Sequence, residues 1–340
     1  MLTVPSKKSV QRAGDMLKNP QAGEAEYSQA MQILSQWRSL HSYPINTFQA
    51  ALRAKLKRGG YAGAIVAQRL KRTPSIIRKL TRFPDMNLAR MQDIGGLRVI
   101  VKNIENVYRL HESIIENSEH EAELPPKDYI RQPKADGYRS LHQVFKYKSK
   151  LHPELNGLRV ELQIRTELQH AWATAVETLG IIERSSFKTG EGDQVYRDFF
   201  KLSSLLFAHY EMNETNDIYP IAEQLVDYQD RLQIFAKLKG IALSAKNMNQ
   251  SGKDAYNLLI LDTGIEVPDI NIISFKNNEL EIAERMYRAL EKDSKDNPNI
   301  DIVLLSTNSA KNIKKAYPNY FLDTHRFIDE LDKLIKRALT

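Results

Sequence analysis

LRVELQI, residues 158–164, alternates without a break: Leu158, Val160, Leu162 and Ile164 fall on one side of an extended chain, and Arg159, Glu161 and Gln163 on the other. The stretch reads as a strand with one core face and one polar face. β-propensity does not place an acid in the middle of a strand, so Glu161 calls for a charge partner. Its face is either a solvated edge or a site. Working outward, helical periodicity follows over Glu167 to Glu183, and two further β-type runs precede, Gly96 to Lys102 and Gln143 to Lys148. A helix near Ile104 to Ser118 separates those runs, together with a polar stretch from Glu119 to Tyr138 that reads as a long loop rich in Lys, Arg and Asp. Asp93 stands before Ile94-Gly95-Gly96, where a strand starts beside backbone that two glycines leave open. Asp before Gly-Gly is also a common turn for purely conformational reasons.

Farther toward the N-terminus, residues 24–40 and 47–80 read as helices, with Thr47 and Thr73 placed as N-caps, Pro74 at a first helical position and Ser75 in the first turn. Beyond Glu183, helices are expected over Asp193 to Glu211 and Asp217 to Leu238, then a boundary over Lys239 to Lys253. Apolar runs at Asn257 to Leu261 and Ile270 to Phe275, a helix from Glu279 to Lys292, a strand at Ile300 to Ser306 and a closing helix through Phe327 to Ala338 then suggest a second, small α/β domain. The expected division is residues 1–238 and 239–340.

The 340 residues are 42% apolar and 27% charged, which excludes general disorder, and no apolar run nears the ~18 residues of a membrane span. With no hydrophobic signal core at the N-terminus either, the chain is expected in the cytosol. Having no cysteine excludes disulfides, thiolate catalysis and Cys-based zinc sites, so any metal must be held by carboxylates, imidazoles or phosphate. The net charge is +7, but residues 51–90 concentrate eleven basic side chains against one acid. That density fits a solvated basic helix or an anion site. GxxxxGK[ST] and GxGxxG are absent, and no His is followed by Asp. Asp93 and Glu161 together would suit Mg²⁺, which takes one or two carboxylates and keeps its other positions for water and substrate phosphates.

Four ordered segments carry a resemblance: QRLKRTPSIIRKL (68–80), RMQDIGGLRVIV (90–101), KDYIRQPKADGYRSLH (127–142) and LRVELQIRTELQHAWATAVE (158–177). They resemble the successive motifs of RelA/SpoT-type alarmone synthetase domains over roughly residues 45 to 210, with no hydrolase domain of that family expected to precede them. The resemblance implies an α/β (α+β) fold, a nucleotidyltransferase-like mixed sheet flanked by helices. It implies that Arg69 and Arg98 sandwich the adenine of ATP, and that Lys71, Ser75 and Lys79 contact its phosphates. Asp93 and Glu161 would hold Mg²⁺, and Glu161 would accept the proton of the attacking hydroxyl. Gln163, Arg165 and His142 would complete the cleft, with Tyr138 stacking on the acceptor base and Lys127, Lys134 and Arg139 near phosphate. The region around Glu177, WATAVET, departs from the pattern usual in small synthetases. The implied reaction moves the β,γ-pyrophosphate of ATP to a ribose 3'-hydroxyl.

Residues 240–340 resemble the antitoxin-like region of fused toxic small alarmone synthetases of the CapRel type, through the YxxY element Tyr317-Pro318-Asn319-Tyr320 that follows the basic run Lys311 to Lys315. By that resemblance Tyr317 or Tyr320 would occupy the nucleotide site in a monomer. The acceptor would be the 3' CCA end of tRNA, so that translation is inhibited, and a phage protein such as a capsid protein would release the restraint. GDP or GTP is the alternative acceptor. A non-catalytic nucleic-acid-binding regulator, in which Asp93 and Glu161 are dispensable, is the reading from another class.

Overall fold

The computed structural model describes residues 4–19, 21–183, 187, 192–241, 256–262, 269–276, 278–294, 297, 300–306 and 324–340. Their centre is one eight-stranded mixed sheet flanked by helices. In chain order the strands are β1 (Ile65–Leu70), β2 (Gly95–Val101), β3 (Glu121–Asp128), β4 (Leu141–Lys146), β5 (Arg159–Thr166), β6 (Tyr256–Asp262), β7 (Asp269–Phe275) and β8 (Ile300–Ser306). They lie side by side as β3-β4-β5-β2-β1-β8-β6-β7. The β2–β5 pair is parallel and every other described pair is antiparallel.

The helices are α1 (Lys7–Lys18), α2 (Glu24–Ser39), α3 (Ser42–Arg58), α4 (Thr73–Arg82), α5 (Ile104–Glu116), α6 (Glu167–Ile182), α7 (Gln194–Met212), α8 (Tyr219–Leu232), α9 (Ile234–Ile241), α10 (Leu280–Asp293) and α11 (His325–Ala338). Helices α1 to α5 bury the apolar residues of β1, β2 and β5, among them Val99, Val160, Leu162 and Ile164. A second cluster joins α6 to α9, and the last helix of the chain enters it: Phe327 of α11 packs against Phe199, Phe200 and Phe207 of α7. A third cluster lies among β6, β7, β8 and α10. No helix among the described residues is long and apolar enough to cross a membrane.

Three elements differ from the sequence reading. The helical stretch 47–80 is interrupted by β1, because Gly59 closes α3 and Gly60 and Gly63 take φ of +70° and +77°, a backbone region open to glycine but strained for other residues. Thr47 is therefore no N-cap; it sits inside α3 with its hydroxyl donating to the Tyr43 carbonyl. Thr73 begins α4, which Arg72 precedes as the cap residue. The stretch Glu119 to Tyr138 is not all loop, since β3 runs through it at the sheet edge. Its Pro125 and Pro126 lie where the pairing register with β4 breaks, which an edge strand tolerates. Helix α1, capped by the Ser6 hydroxyl accepting from the Ser9 amide, carries no sequence expectation.

Strands β8, β6 and β7 extend the same sheet beyond β1 through a short seam, Gln68 opposite Ser306 and Arg69 opposite Leu305.

Candidate active site

Cross-strand register assembles the site. One row across the sheet reads Arg69, Gly96, Glu161, and the next Ala67, Arg98, Gln163, His142. Side chains alternate between faces, so both rows project from the same side, opposite the core. The two glycines before them do different work. A Cβ on Gly95 would come within 2.8 Å of Ile45, so this residue lets α3 pack on the sheet, whereas a Cβ on Gly96 would meet only the Arg69 carbonyl oxygen, at 3.8 Å. Gly96 thus leaves the floor open between Arg69 and Glu161. Above it is an open cleft lined by Arg69, Lys71, Asp93, Gly96, Leu97, Arg98, Glu161 and Gln163.

Two charge systems meet there. Asp93 accepts from Lys71 through Oδ2 and from Lys79 through Oδ1, both at 2.9 Å. Burial would raise the Asp93 carboxyl, but Lys71 and Lys79 outweigh it and hold it below its ordinary range. Burial lowers the Lys71 ammonium, and the positive charges of Arg69 and Lys79 add to that, against the pull of Asp93. This side of the cleft has more cation than its single carboxylate neutralises.

The second system is a closed ring of hydrogen bonds. His142 Nδ1 lies 3.0 Å from Glu161 Oε1, and His142 Nε2 lies 2.8 Å from the Tyr138 hydroxyl. Arg165 donates to the Tyr138 oxygen at 2.5 Å and to Gln163 Oε1 at 2.8 Å, and Gln163 Nε2 donates to Glu161 Oε2 at 2.8 Å. Burial lowers the His142 pKa despite Glu161, so the imidazole is neutral near pH 7. One tautomer satisfies the ring: Nδ1–H donates to Glu161 and Nε2 accepts from Tyr138. Burial would push the Glu161 carboxyl up. The His142 and Gln163 bonds and the Lys79 charge overcome it, so Glu161 is ionised and its orientation fixed.

Of the residues expected from the sequence, Lys71, Lys79, Asp93, Glu161, Gln163, His142, Arg165 and Tyr138 come together in these two systems, and Arg69 and Arg98 line the cleft beside them. Ser75 is partly exposed in the first turn of α4, one helical turn before Lys79. Lys127 is exposed and donates to Gln92. Lys134 is exposed too, with its ammonium 4.6 Å from the Tyr129 ring centre and 4.7 Å from that of Tyr138. Arg139 points elsewhere: it is buried, donates to the Ile130 carbonyl and Met212, and lines a pocket with Gln169 and Glu211. Tyr138 is 7% exposed, with Lys134 and the Arg165 guanidinium near its ring. Tyr317 and Tyr320 lie outside the described residues. Sequence reasoning missed the Tyr138–His142 bond, because a spacing of four signals contact only on a helix and this segment is a loop running into β4.

Among the described residues no three acidic or histidine side chains gather as a metal site. Asp93 and Glu161 still fit a hard divalent cation: both line one cleft, both are ionised, and Asp93 feels the charge of Glu161. Two carboxylates with open positions left for phosphate oxygens are what Mg²⁺ accepts.

A basic, open-floored cleft on a mixed sheet, with fixed carboxylates at its centre, has the chemistry that suits a phosphorylated ligand. Residues 68–190 match the family described as a region found in RelA / SpoT proteins. Two curated relatives from Bacillus subtilis (strain 168) are the GTP pyrophosphokinase YjbM, 32% identical over 116 residues, and the GTP pyrophosphokinase YwaC, 32% identical over 111. The matches cover 34% and 31% of this chain and 54% and 52% of those proteins, so the chain spans about half the length of each. A solved structure of small alarmone synthetase 1 from Bacillus subtilis bound to its product pppGpp aligns over 51% of this chain and 90% of that one, at 22% identity and a TM-score of 0.43.

Proposed function

We propose that this protein is a pyrophosphokinase that moves the β,γ-pyrophosphate of ATP to a ribose 3'-hydroxyl. The observation that carries the reading is the pair Lys71 and Lys79 on Asp93, beside Arg69 and facing an ionised Glu161 across the open floor at Gly96. Guanidinium planes of Arg69 and Arg98 would hold the adenine, an interaction of about 0.5–2 kcal/mol each that is insensitive to pH. Lys71, Ser75 and Lys79 would take the phosphates. Asp93 and Glu161 would hold Mg²⁺, which when bound neutralises phosphate oxygens.

In the transfer, the acceptor 3'-oxygen forms a bond to the β-phosphorus while the bond from that phosphorus to the α,β-bridging oxygen breaks, and AMP leaves with the oxygen. Glu161 receives the hydroxyl proton. Its ring of partners suits that role, because His142 and Gln163 fix both carboxylate oxygens before the reaction begins.

The names of the relatives support GDP or GTP as acceptor. A second reading, the 3' CCA end of tRNA, is favoured by the exposed lysines Lys127 and Lys134 on the Tyr138 side, where a polyanion could continue out of the cleft. With it goes restraint of the site by Tyr317 or Tyr320 of the 239–340 unit, released by a phage protein. Incubation with γ-labelled ATP and Mg²⁺ plus either GDP/GTP or tRNA tests the proposal. Label should enter one acceptor, and label in neither refutes pyrophosphate transfer. Replacing both Tyr317 and Tyr320 by Ala should raise basal activity, and a stable double variant no more active than the parent refutes the restraint.

A further inference from the structure

The turn Lys71-Arg72-Thr73 joins β1, which carries Arg69, to α4, which carries Ser75 and Lys79. Its conformation therefore sets how Arg69, Lys71 and Lys79 stand relative to one another. Three side chains from distant parts of the chain hold this turn. Glu291, on α10, accepts from the Thr73 backbone amide at 2.9 Å through Oε1 and from the Thr73 hydroxyl at 3.0 Å through Oε2. Arg38, on α2 and 4% exposed, donates through Nε to the Lys71 carbonyl at 2.7 Å and through Nη1 to Glu291 at 3.4 Å. Tyr287, one helical turn before Glu291, donates its hydroxyl to Oε1 at 2.6 Å, and its ring centre lies 4.4 Å from the Arg38 guanidinium.

Glu291 is thus tied down by two side chains of its own and holds one end of the turn, while Arg38 holds the other. On the opposite side the Lys71 amide donates to the Ile94 carbonyl, just ahead of β2. Burial pushes the Tyr287 hydroxyl above its ordinary range, so it stays a donor. A carboxylate at the first amide of α4 also complements the positive end of that helix. Packing of α10 on the sheet runs through the apolar contacts of Ala283, Leu290 and the Tyr287 ring, and requires no carboxylate at Glu291.

We propose that Glu291, clamped by Tyr287 and Arg38, is a positioning residue for the donor-nucleotide site, so that a helix beyond residue 239 completes the site built by the region that matches the RelA / SpoT family. The inference rests on the functional reading above for the identity of the ligand.

The test compares Glu291→Gln and Glu291→Asp with the parent, full-length in each case, by titration with a non-hydrolysable ATP analogue and Mg²⁺. Loss of a charged hydrogen-bond acceptor should weaken analogue binding about tenfold in Glu291→Gln. Glu291→Asp should recover part of it, and KM for the acceptor should stay unchanged. Amide exchange should quicken over residues 71–79 and not over β5. Parental analogue affinity in Glu291→Gln overturns the proposal. So does a rise in activity, which would make Glu291 a restraint. Should the parent transfer no pyrophosphate or bind no analogue, the functional reading fails instead. Exchange over 71–79 then decides alone, and an unchanged rate overturns the role of Glu291.

Discussion

The two halves of the sheet are built on opposite principles. Strands β4, β5, β2 and β1 bury Arg98, His142, Gln143, Arg165 and Gln68 together with apolar residues, whereas β6 and β8 bury Leu258, Leu259, Leu261, Ile302, Val303 and Leu305. The one buried polar residue described on β6, Asn257, accepts from the Ser274 hydroxyl of the neighbouring strand through Oδ1, while its Nδ2 finds no hydrogen-bond partner among the described residues. A buried ionic network is weak evidence for stability, because desolvation offsets most of its Coulombic gain. Under the proposed function the charged half would do the chemistry, while the apolar half provides packing. The halves communicate at the seam, where α10 sends Glu284 to Ser42 and Glu291 to Thr73.

Substitutions that separate chemistry from packing sharpen that contrast. The largest effect is expected from Asp93→Asn or Glu161→Gln, either of which should lower pyrophosphate transfer by about 10²–10⁴-fold, the range for a lost acid-base group. Thermal melting should show both variants folded. Near-normal turnover in either would mean that the charged half is not the reactive one.

The converse substitution is Leu258→Ala, at the centre of the β6, β8 and α10 cluster. It should cost about 2–5 kcal/mol of stability, read from urea unfolding, with kcat per folded molecule unchanged. A loss of kcat without a loss of stability would break the division of labour.

A third test uses pH. His41, 1% exposed beneath Gly95, is lowered by burial from 6.5 to about 4, with its bond to the Trp37 carbonyl offsetting only part of the shift. Between those values the unfolded chain binds more protons than the folded one, so stability rises as pH rises from about 4 to 6.5 and is lost on acidification. The contribution is at most about 3 kcal/mol. Urea midpoints between pH 4.5 and 7 should change less steeply in His41→Asn than in the parent, and equal slopes would contradict the assignment. Strands β6, β7 and β8 contain no histidine to reproduce the effect.

The smallest change expected is for Tyr138→Phe, which keeps the ring but removes the hydroxyl joining His142 to Arg165. About 1 kcal/mol, or roughly fivefold in kcat, should be lost with ATP affinity unchanged. If kcat stays at the parental level, His142 orients Glu161 without help from Tyr138.

Much of the charged half was legible in one dimension. The alternation of LRVELQI identified β5 and the face that carries Glu161, and Asp93 before Gly95-Gly96 marked where β2 starts. The polar face is not a solvated edge, because β2 and β4 flank β5 and bring Arg98 and His142 to it. Strand β1 was illegible because IVAQRL is short, lies among helices and lacks clean alternation. The prolines of β3 disguised an edge strand as loop.

Local pattern determined which residue types stand on which face of β5, where glycine opens the backbone, and that positive charge gathers ahead of β2. Those follow from periods of two and 3.6 residues and from missing side chains, all properties of near neighbours along the chain. Only tertiary structure decided that β8 pairs with β1, that α11 returns to pack on α7, and that Glu291 reaches Thr73 across 218 positions. Such contacts bring together groups whose spacing in sequence carries no period, and their selection depends on burying the apolar faces of the whole sheet at once.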